Sequence, residues 1–142
     1  MKVLVLNGPN LNLLGKREES LYGSKTLLEI EKELKLEFSD YDITFKHSNL
    51  EGELINYIQI ASVSYDALII NPGGYAHSSV AIRDALEMCN LPKIEVHLSN
   101  IASREDFRHR SITASKCDGY ISGFKEHSYS AAIYLLSKLI IK

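Results

Sequence analysis

The chain has 142 residues, of which 45% are hydrophobic and 24% are charged, a composition typical of one globular domain. It excludes a disordered chain as the main state, and the length suffices to bury a core without disulfide bonds or a structural metal. The 16 basic and 18 acidic residues give a formal charge of -2, which excludes a bulk electrostatic attraction to nucleic acid or to an anionic membrane.

The cysteines and the apolar runs indicate a protein of the cytoplasm. The two cysteines, Cys89 and Cys117, form neither a CxxC pair nor a spaced framework, as expected in a reducing compartment. The apolar start at residues 1–6 is too short for a signal peptide, and no apolar run approaches the ~20 residues of a membrane span. We therefore expect residues 1–142 to form one soluble cytoplasmic domain with no membrane or nucleic-acid partner.

Strand and helix patterns alternate along the chain. Residues 3–6 predict a buried strand, residues 8–25 lack a regular period and predict a lid or binding loop, and Thr26 with Glu29 predicts a capping box. Residues 43–48 alternate apolar and polar side chains, as in an edge strand. Short apolar runs predict further strands at residues 67–70, 94–98 and 120–121. Four helices are predicted from apolar residues at helical spacing. The first carries Leu27, Ile30, Leu34 and Phe38, and the second carries Leu54, Ile58 and Ala61. The third carries Val80, Ile82, Ala85 and Leu86, and the last carries Ala131, Ile133, Tyr134, Leu135 and Leu139.

This order predicts the fold class. Continuous apolar strands are typical of parallel sheets covered on both faces, and helices between strands supply the right-handed crossovers. The chain is therefore predicted to be an α/β protein, a flavodoxin-like doubly wound sandwich with a five-stranded parallel sheet. Ligands of such sheets bind beyond the carboxyl ends of the strands.

Polar residues follow three of the predicted strands at that edge. They are Asn10, Asn71, His77, His97 and Ser99. Asparagine and glycine here could instead form only turns and helix caps, and the Gly73-Gly74 pair alone is weak evidence for an anion site. The group as a whole predicts a polar binding rim.

Glu95 and His97 form the first candidate catalytic pair. Ile94, Val96 and Leu98 occupy one face of their strand, so Glu95 and His97 share the other. A carboxylate that holds an imidazole fixes its tautomer and favours the protonated ring, as a general acid requires. The alternative is a purely structural pair.

Arginines and a tyrosine supply the other candidates. A guanidinium beside a tyrosine favours the phenolate, so Tyr22 with Arg17 next to it would be a base. The alternative is that the pair has no catalytic role, as is true of most exposed arginines and tyrosines on loops. The planar fork of Arg108 suits a carboxylate ligand. Arg104 and Arg110 are interpreted as surface residues, and residues 103–106 as a possible helix start.

Several cofactor motifs are absent from the sequence. It has no GxGxxG after the first strand, no GxxxxGK[ST], no HExxH, and no metal-ligand spacing among its five His and two Cys. The loop after the first strand also lacks the Ser/Thr-rich phosphate cradle of an FMN-binding flavodoxin. These absences favour chemistry that needs no cofactor.

Together, six motifs resemble type II 3-dehydroquinate dehydratase over nearly the whole chain. They are NGPNLNLLG at 7–15, RE at 17–18, YG at 22–23, NPGGYAHSS at 71–79, EVHLSN at 95–100 and REDFRH at 104–109. The resemblance implies a flavodoxin-like fold and the reversible dehydration of 3-dehydroquinate to 3-dehydroshikimate in the shikimate pathway. It also implies no metal, Schiff base or organic cofactor, and a single catalytic domain.

The resemblance also implies residue roles. Tyr22 removes the proton beside the ketone with help from Arg17, Asn10 holds a water at the resulting enolate, and His97, positioned by Glu95, protonates the departing hydroxyl. The substrate hydroxyls and carboxylate are held by Asn71, His77, Ser99, Arg108 and the backbone of Leu98. Family members form dodecamers built from trimers, in which the residue matching Asp84 reaches a neighbouring subunit's site.

The chain departs from the family pattern at three places. Glu19 stands where proline is common, Arg110 where a second histidine is common, and residues 113–118 differ from the usual Ser-Pro run. Two other interpretations stay open. One is a binding module that holds a nucleotide or flavin at the same rim, and the other is an inactive relative kept for assembly.

Overall fold

The computed structural model describes residues 1–140 and contains a five-stranded parallel sheet in the order β2-β1-β3-β4-β5. The strands are β1 (Lys2–Asn7), β2 (Asp42–His47), β3 (Ala67–Asn71), β4 (Lys93–His97) and β5 (Gly119–Ser122). The helices are α1 (Glu19–Tyr22), α2 (Leu27–Glu37), α3 (Glu51–Ser64), α4 (Val80–Met88) and α5 (His127–Ile140). This is the predicted flavodoxin-like order, and the predicted place of β2 at the sheet edge is confirmed.

Two apolar layers cover the sheet because alternate strand residues point to opposite faces. Val3 and Val5 of β1 pack with residues of α2 and α5, whereas Leu4 and Leu6 pack with α3 and α4. The Thr26–Glu29 capping box begins α2 as predicted. Every residue of β3 and β4 is buried, so polar side chains on these strands need partners inside the protein.

The predicted apolar stripe of α5 was wrong in part. Tyr134, Leu135 and Leu139 are exposed, and the buried face consists of Ser128, Tyr129, Ala132, Ile133 and Leu136. Positions three and four apart share one side of a helix, and this periodicity selects the face through Tyr129 rather than the adjacent apolar pair 134–135. Val80, predicted in the stripe of α4, is also exposed.

Two irregular stretches differ from the sequence prediction. The segment 8–25 contains a short 3-10 helix, Leu11–Leu13, as well as α1, which had not been predicted. The helix start proposed at residues 103–106 was wrong, because this stretch forms two 3-10 turns, Ile101–Ser103 and Asp106–Arg108. Their backbone hydrogen bonds span three residues, so no α-helix forms.

The loops that follow β1 and β3 approach each other closely. A Cβ on Gly8 would lie 2.6 Å from the carbonyl oxygen of Pro72, a distance that no side chain tolerates, so glycine is required there. The Gly8 N–H donates to the carbonyl of Asn71 at 2.7 Å and fixes the two loops together. None of the helices within residues 1–140 is long and apolar enough to cross a membrane.

Candidate active site

A polar cavity lies where β1, β3 and β4 end. Nine of the eleven predicted site residues line it: Asn10, Arg17, Tyr22, Asn71, His77, His97, Leu98, Ser99 and Arg108. Glu95 lies behind His97 and does not line the cavity, and Asp84 does not line it either. The sheet topology accounts for this convergence, because parallel strands bring their carboxyl ends to one edge.

Tyr22 lies under two guanidinium groups. It ends α1, where Gly23 at φ 81° turns the chain back in a conformation that favours glycine. Arg17 Nη2 donates to the Tyr22 hydroxyl at 2.7 Å, and its Cζ lies 3.8 Å from the ring centroid. Arg104 Cζ lies 5.4 Å from the same centroid. Two guanidinium groups therefore contact one phenol ring, and one of them donates to its hydroxyl.

His97 ends β4 and is held from behind by Glu95. Its Nε2 lies 2.8 Å from Glu95 Oε2, as the alternation along the strand predicted, and Glu95 is fully buried. A carboxylate only accepts hydrogen bonds, so Nε2 carries the proton and Nδ1 is the nitrogen available to a ligand. Glu95 also accepts hydrogen bonds from Ser111 Oγ at 2.6 Å and from Thr113 Oγ1.

Asn10 has a left-handed backbone, with φ 70°, immediately before the 3-10 helix Leu11–Leu13. Asparagine tolerates this conformation better than most residues. Its N–H donates to Asn49 Oδ1 at 3.0 Å, which fixes the backbone from outside the cavity. Its side chain makes no capping bond to the turn and lines the cavity.

Asn71 is anchored by a buried network below the cavity. Its Nδ2 donates to the Tyr129 hydroxyl at 3.2 Å, and its Oδ1 accepts from the Gly73 N–H at 3.2 Å. Tyr129 in turn donates to Asn7 Oδ1 at 2.6 Å. Burial raises the pKa of the Tyr129 phenol, which keeps this hydroxyl a neutral donor.

His77 is oriented by the backbone. Its Nδ1 lies 2.9 Å from the carbonyl oxygen of Arg110, and a carbonyl only accepts, so Nδ1 carries the proton. The ring stacks on His97 with 6.1 Å between centroids. His77 therefore presents Nε2 as its other polar atom.

Arg104 belongs to the cavity, so its interpretation as a surface residue was wrong. Its side chain is 11% exposed, and its Nη1 donates to Ser99 Oγ at 3.1 Å. The Ser99 carbonyl accepts from Ser122 Oγ at 3.0 Å, and the Leu98 carbonyl accepts from the Lys125 N–H at 2.9 Å. The end of β4 is thereby fixed to the end of β5 and to the loop between β5 and α5.

Arg108 lines the cavity from the second 3-10 turn. Its Nε lies 3.2 Å from Glu105 Oε2. A backbone hydrogen bond of Glu105 itself, and then the hydrogen bond from Arg108, hold the pKa of this carboxyl below its usual range. Glu105 therefore keeps a negative charge that orients the guanidinium.

Asp84 lies on α4, where its carboxylate pairs with Arg83 Nη1 at 3.1 Å and the side chain is exposed. Its contact with another subunit's site stays a prediction. Within residues 1–140, no three His, Cys, Asp or Glu side chains come together in a way that could hold a metal ion.

Sequence reasoning missed the partners behind the cavity. Ser111, Thr113 and Tyr129 all contact predicted site residues through hydrogen bonds. The need of buried Glu95 for a partner signalled the first two, but nothing in the spacing indicated which hydroxyls they are. The helical periodicity of α5 could have placed Tyr129 facing the sheet.

Comparisons with known proteins show the family of this chain. The model of the family described as Dehydroquinase class II matches residues 1–137. A Clostridium perfringens (strain SM101 / Type A) protein named 3-dehydroquinate dehydratase is 50% identical over 143 residues, covering 99% of this chain and 98% of its own. A Caldanaerobacter subterraneus protein of the same name is 50% identical over 140 residues, covering 97% and 95%. The crystal structure of type II dehydroquinase from Butyrivibrio crossotus DSM 2876 superposes with a TM-score of 0.94 at 42% identity, covering 96% of this chain and 97% of its own. The chain belongs to the class II dehydroquinase family of enzymes.

Proposed function

We propose that this enzyme catalyses the reversible dehydration of 3-dehydroquinate to 3-dehydroshikimate, a step of the shikimate pathway, by a cofactor-free elimination through an enolate. The family and the names of its relatives support the substrate. One observation carries the mechanism. A tyrosine bonded to a guanidinium and a histidine bonded to a carboxylate line the same cavity.

In the first step, Tyr22 acts as the base. Its phenolate takes the proton beside the ketone, and the electron pair of the broken C–H bond forms the C=C bond of an enolate. Arg17 and Arg104 stabilise the phenolate before the transfer, and their positions on the ring support this role. Tyr22 is then neutral.

The enolate oxygen needs hydrogen-bond donors as its charge develops. Asn10 supplies them through a water that its side-chain amide holds. The left-handed backbone of Asn10, fixed by Asn49, directs this side chain to the cavity without using it in the turn, which supports the assignment.

In the second step, His97 acts as the acid. The enolate electrons re-form the ketone, a new C=C bond forms, and the C–O bond breaks as the imidazolium protonates the departing hydroxyl, which leaves as water. Glu95 stabilises the imidazolium through Nε2, so the proton comes from Nδ1. Tyr22 then returns its proton to solvent and His97 takes one up.

The remaining cavity residues hold the substrate. Arg108 pairs with the carboxylate, and the hydroxyls are held by Asn71, His77, Ser99 and the backbone of Leu98. We also propose that residues 1–142 form one catalytic domain, that the enzyme works in the cytoplasm, and that it assembles as a homododecamer of trimers in which Asp84 reaches a neighbouring site.

Ultraviolet absorbance tests this function, because the product is a conjugated enone carboxylate and the substrate is not. Chelator-treated enzyme mixed with 3-dehydroquinate should give a growing absorption band. Tyr22→Phe should remove it, whereas Tyr134→Phe, a matched change at an exposed tyrosine outside the cavity, should keep the full rate.

A flat trace from folded wild-type enzyme would contradict the proposal. A nucleotide or a yellow flavin that stays with the purified protein would then support a binding module instead. If Tyr22→Phe keeps most of its kcat, the reaction stands but Tyr22 is not the base.

A further inference from the structure

One short segment, residues 110–113, makes hydrogen bonds at both site histidines: to His77 and its neighbour Ala76, and to Glu95 behind His97. The carbonyl of Arg110 accepts from His77 Nδ1 at 2.9 Å, and the Ile112 N–H donates to the carbonyl of Ala76 at 2.8 Å. The side chains of Ser111 and Thr113 point to Glu95, the carboxylate behind His97.

Glu95 is a carboxyl group in the centre of the protein. Its exposed fraction is 0%, and within residues 1–140 its single ion-pair partner at 4.0 Å or less is His97. Burial, and after it the charge of Glu95, raises the pKa values of the Cys117 thiol and of the Tyr120 phenol, so both groups stay neutral and add no second negative charge beside Glu95. A buried carboxylate without hydrogen bonds would bind a proton instead of staying ionised.

Hydroxyl groups supply those hydrogen bonds. Ser111 Oγ lies 2.6 Å from Oε2, and Thr113 Oγ1 bonds to Oε1 of the same carboxylate. Each hydroxyl has one proton, and a carboxylate only accepts, so both protons go to Glu95. The Ala114 N–H donates to Ser111 Oγ at 3.1 Å, which occupies a lone pair and fixes the hydroxyl further.

The two contacts also fix the rotation of the carboxylate. Thr113 holds Oε1, while Oε2 receives both Ser111 and His97 Nε2. If Thr113 lost its hydroxyl, Oε1 would have no donor from this segment and the carboxylate plane could turn. The hydrogen bond that keeps the proton on Nε2 of His97 would weaken with it.

We propose that Ser111 and Thr113 are positioning residues for the acid step. They hold both oxygens of the Glu95 carboxylate and direct its Oε2 at His97, so that Nδ1 faces the leaving hydroxyl. Neither residue touches the substrate, because neither lines the cavity. The kinetic part of this inference rests on the proposed function of His97.

The test uses Thr113→Val, which replaces the hydroxyl by a methyl group of similar size, and Ser111→Ala. Each should lower kcat about tenfold and leave KM within about twofold, because a hydrogen bond to a charged group is lost away from the substrate. Thr113→Ser restores the hydroxyl and should recover most of kcat. Ser115→Ala is the matched control, since its hydroxyl donates to the carbonyl of Ile112 and not to Glu95.

A second readout needs no substrate. In the 15N spectrum of the histidine rings of the wild-type enzyme, neutral His97 should be the Nε2–H tautomer, assigned by its loss in His97→Ala. Thr113→Val should show a mixture of tautomers, and Thr113→Ser the wild-type pattern. Circular dichroism checks that each variant is folded.

A folded Thr113→Val with wild-type kcat and a wild-type His97 spectrum would overturn the proposal. If Thr113→Val does not fold, Ser111→Ala decides in the same way, because Ser111 is only half-buried. An inactive wild-type enzyme would contradict the proposed function alone, and the tautomer of His97 would still decide whether Ser111 and Thr113 position it.

Discussion

The two sides of the cavity are built differently. Tyr22 lies on the connection between β1 and α2, where long charged side chains, Arg17 and Arg104, contact its ring and hydroxyl. His97 ends a central strand, and the groups behind it are the buried Glu95 and the hydroxyls of Ser111 and Thr113. The base side therefore depends on charge and the acid side on a fixed hydrogen-bond network. This division fits the proposed chemistry if residues 8–25 form the predicted lid, because the base would then close on the substrate while the acid stays in place.

The largest expected effects come from removing either reacting group. Tyr22→Phe and His97→Ala should each lower kcat by about 100- to 10,000-fold, the usual range for a positioned acid or base, with little change in KM. Steady-state kinetics with 3-dehydroquinate measures this. A loss confined to one of the two variants would show that the cavity has one catalytic side rather than two.

Removing a positive charge from the base side should have the next largest effect on kcat. Arg17→Gln should lower kcat about 100-fold, because it removes the guanidinium that bonds to the phenol hydroxyl. The free energy of unfolding should stay within about 0.5 kcal/mol, since Arg17 lies on a partly exposed segment. A change in stability without a change in kcat would make Arg17 structural and contradict the comparison.

The buried network that anchors Asn71 below the cavity should affect stability rather than the chemical step. Tyr129→Phe leaves the buried Asn7 Oδ1 without its donor and should lower the free energy of unfolding by about 1–3 kcal/mol. Urea denaturation measures the change. Tyr134→Phe on the exposed side of α5 is the control and should leave stability unchanged. Equal stability of both variants would show that the buried network contributes nothing.

The smallest effect concerns the lid itself. Glu19 is the first residue of α1, a position that suits proline, and Glu18 before it has an extended backbone. Glu19→Pro should stabilise the enzyme by about 0.4–1 kcal/mol by restricting the unfolded loop, and it should speed or strengthen lid closure. Thermal unfolding and steady-state kinetics check both parts, and unchanged kcat and KM would count against the effect on the lid.

The contrast between regular strands and irregular segments explains what could be predicted from the sequence. The central strands follow from short continuous apolar runs, which are typical of a parallel sheet covered on both faces. The edge position of β2 and the contact of Glu95 with His97 follow from the alternation of side chains along a strand. The inward path of Arg104 could not be predicted, because in a stretch of 3-10 turns the sequence has no period that assigns a side chain to one face. The contacts of Ser111 and Thr113 with Glu95 join β4 to an irregular segment that comes much later in the chain, so their pairing depends on the path of the backbone.

The central claim is that Tyr22 and His97 act on different bonds of the substrate. Proton exchange in heavy water separates these steps, because the base alone can form and reverse the enolate. We expect His97→Ala to exchange the proton beside the ketone of 3-dehydroquinate for deuterium, seen as loss of its NMR signal, without forming product. Tyr22→Phe should neither exchange this proton nor form product. Exchange that persists in Tyr22→Phe and vanishes in His97→Ala would reverse the two roles and contradict the account.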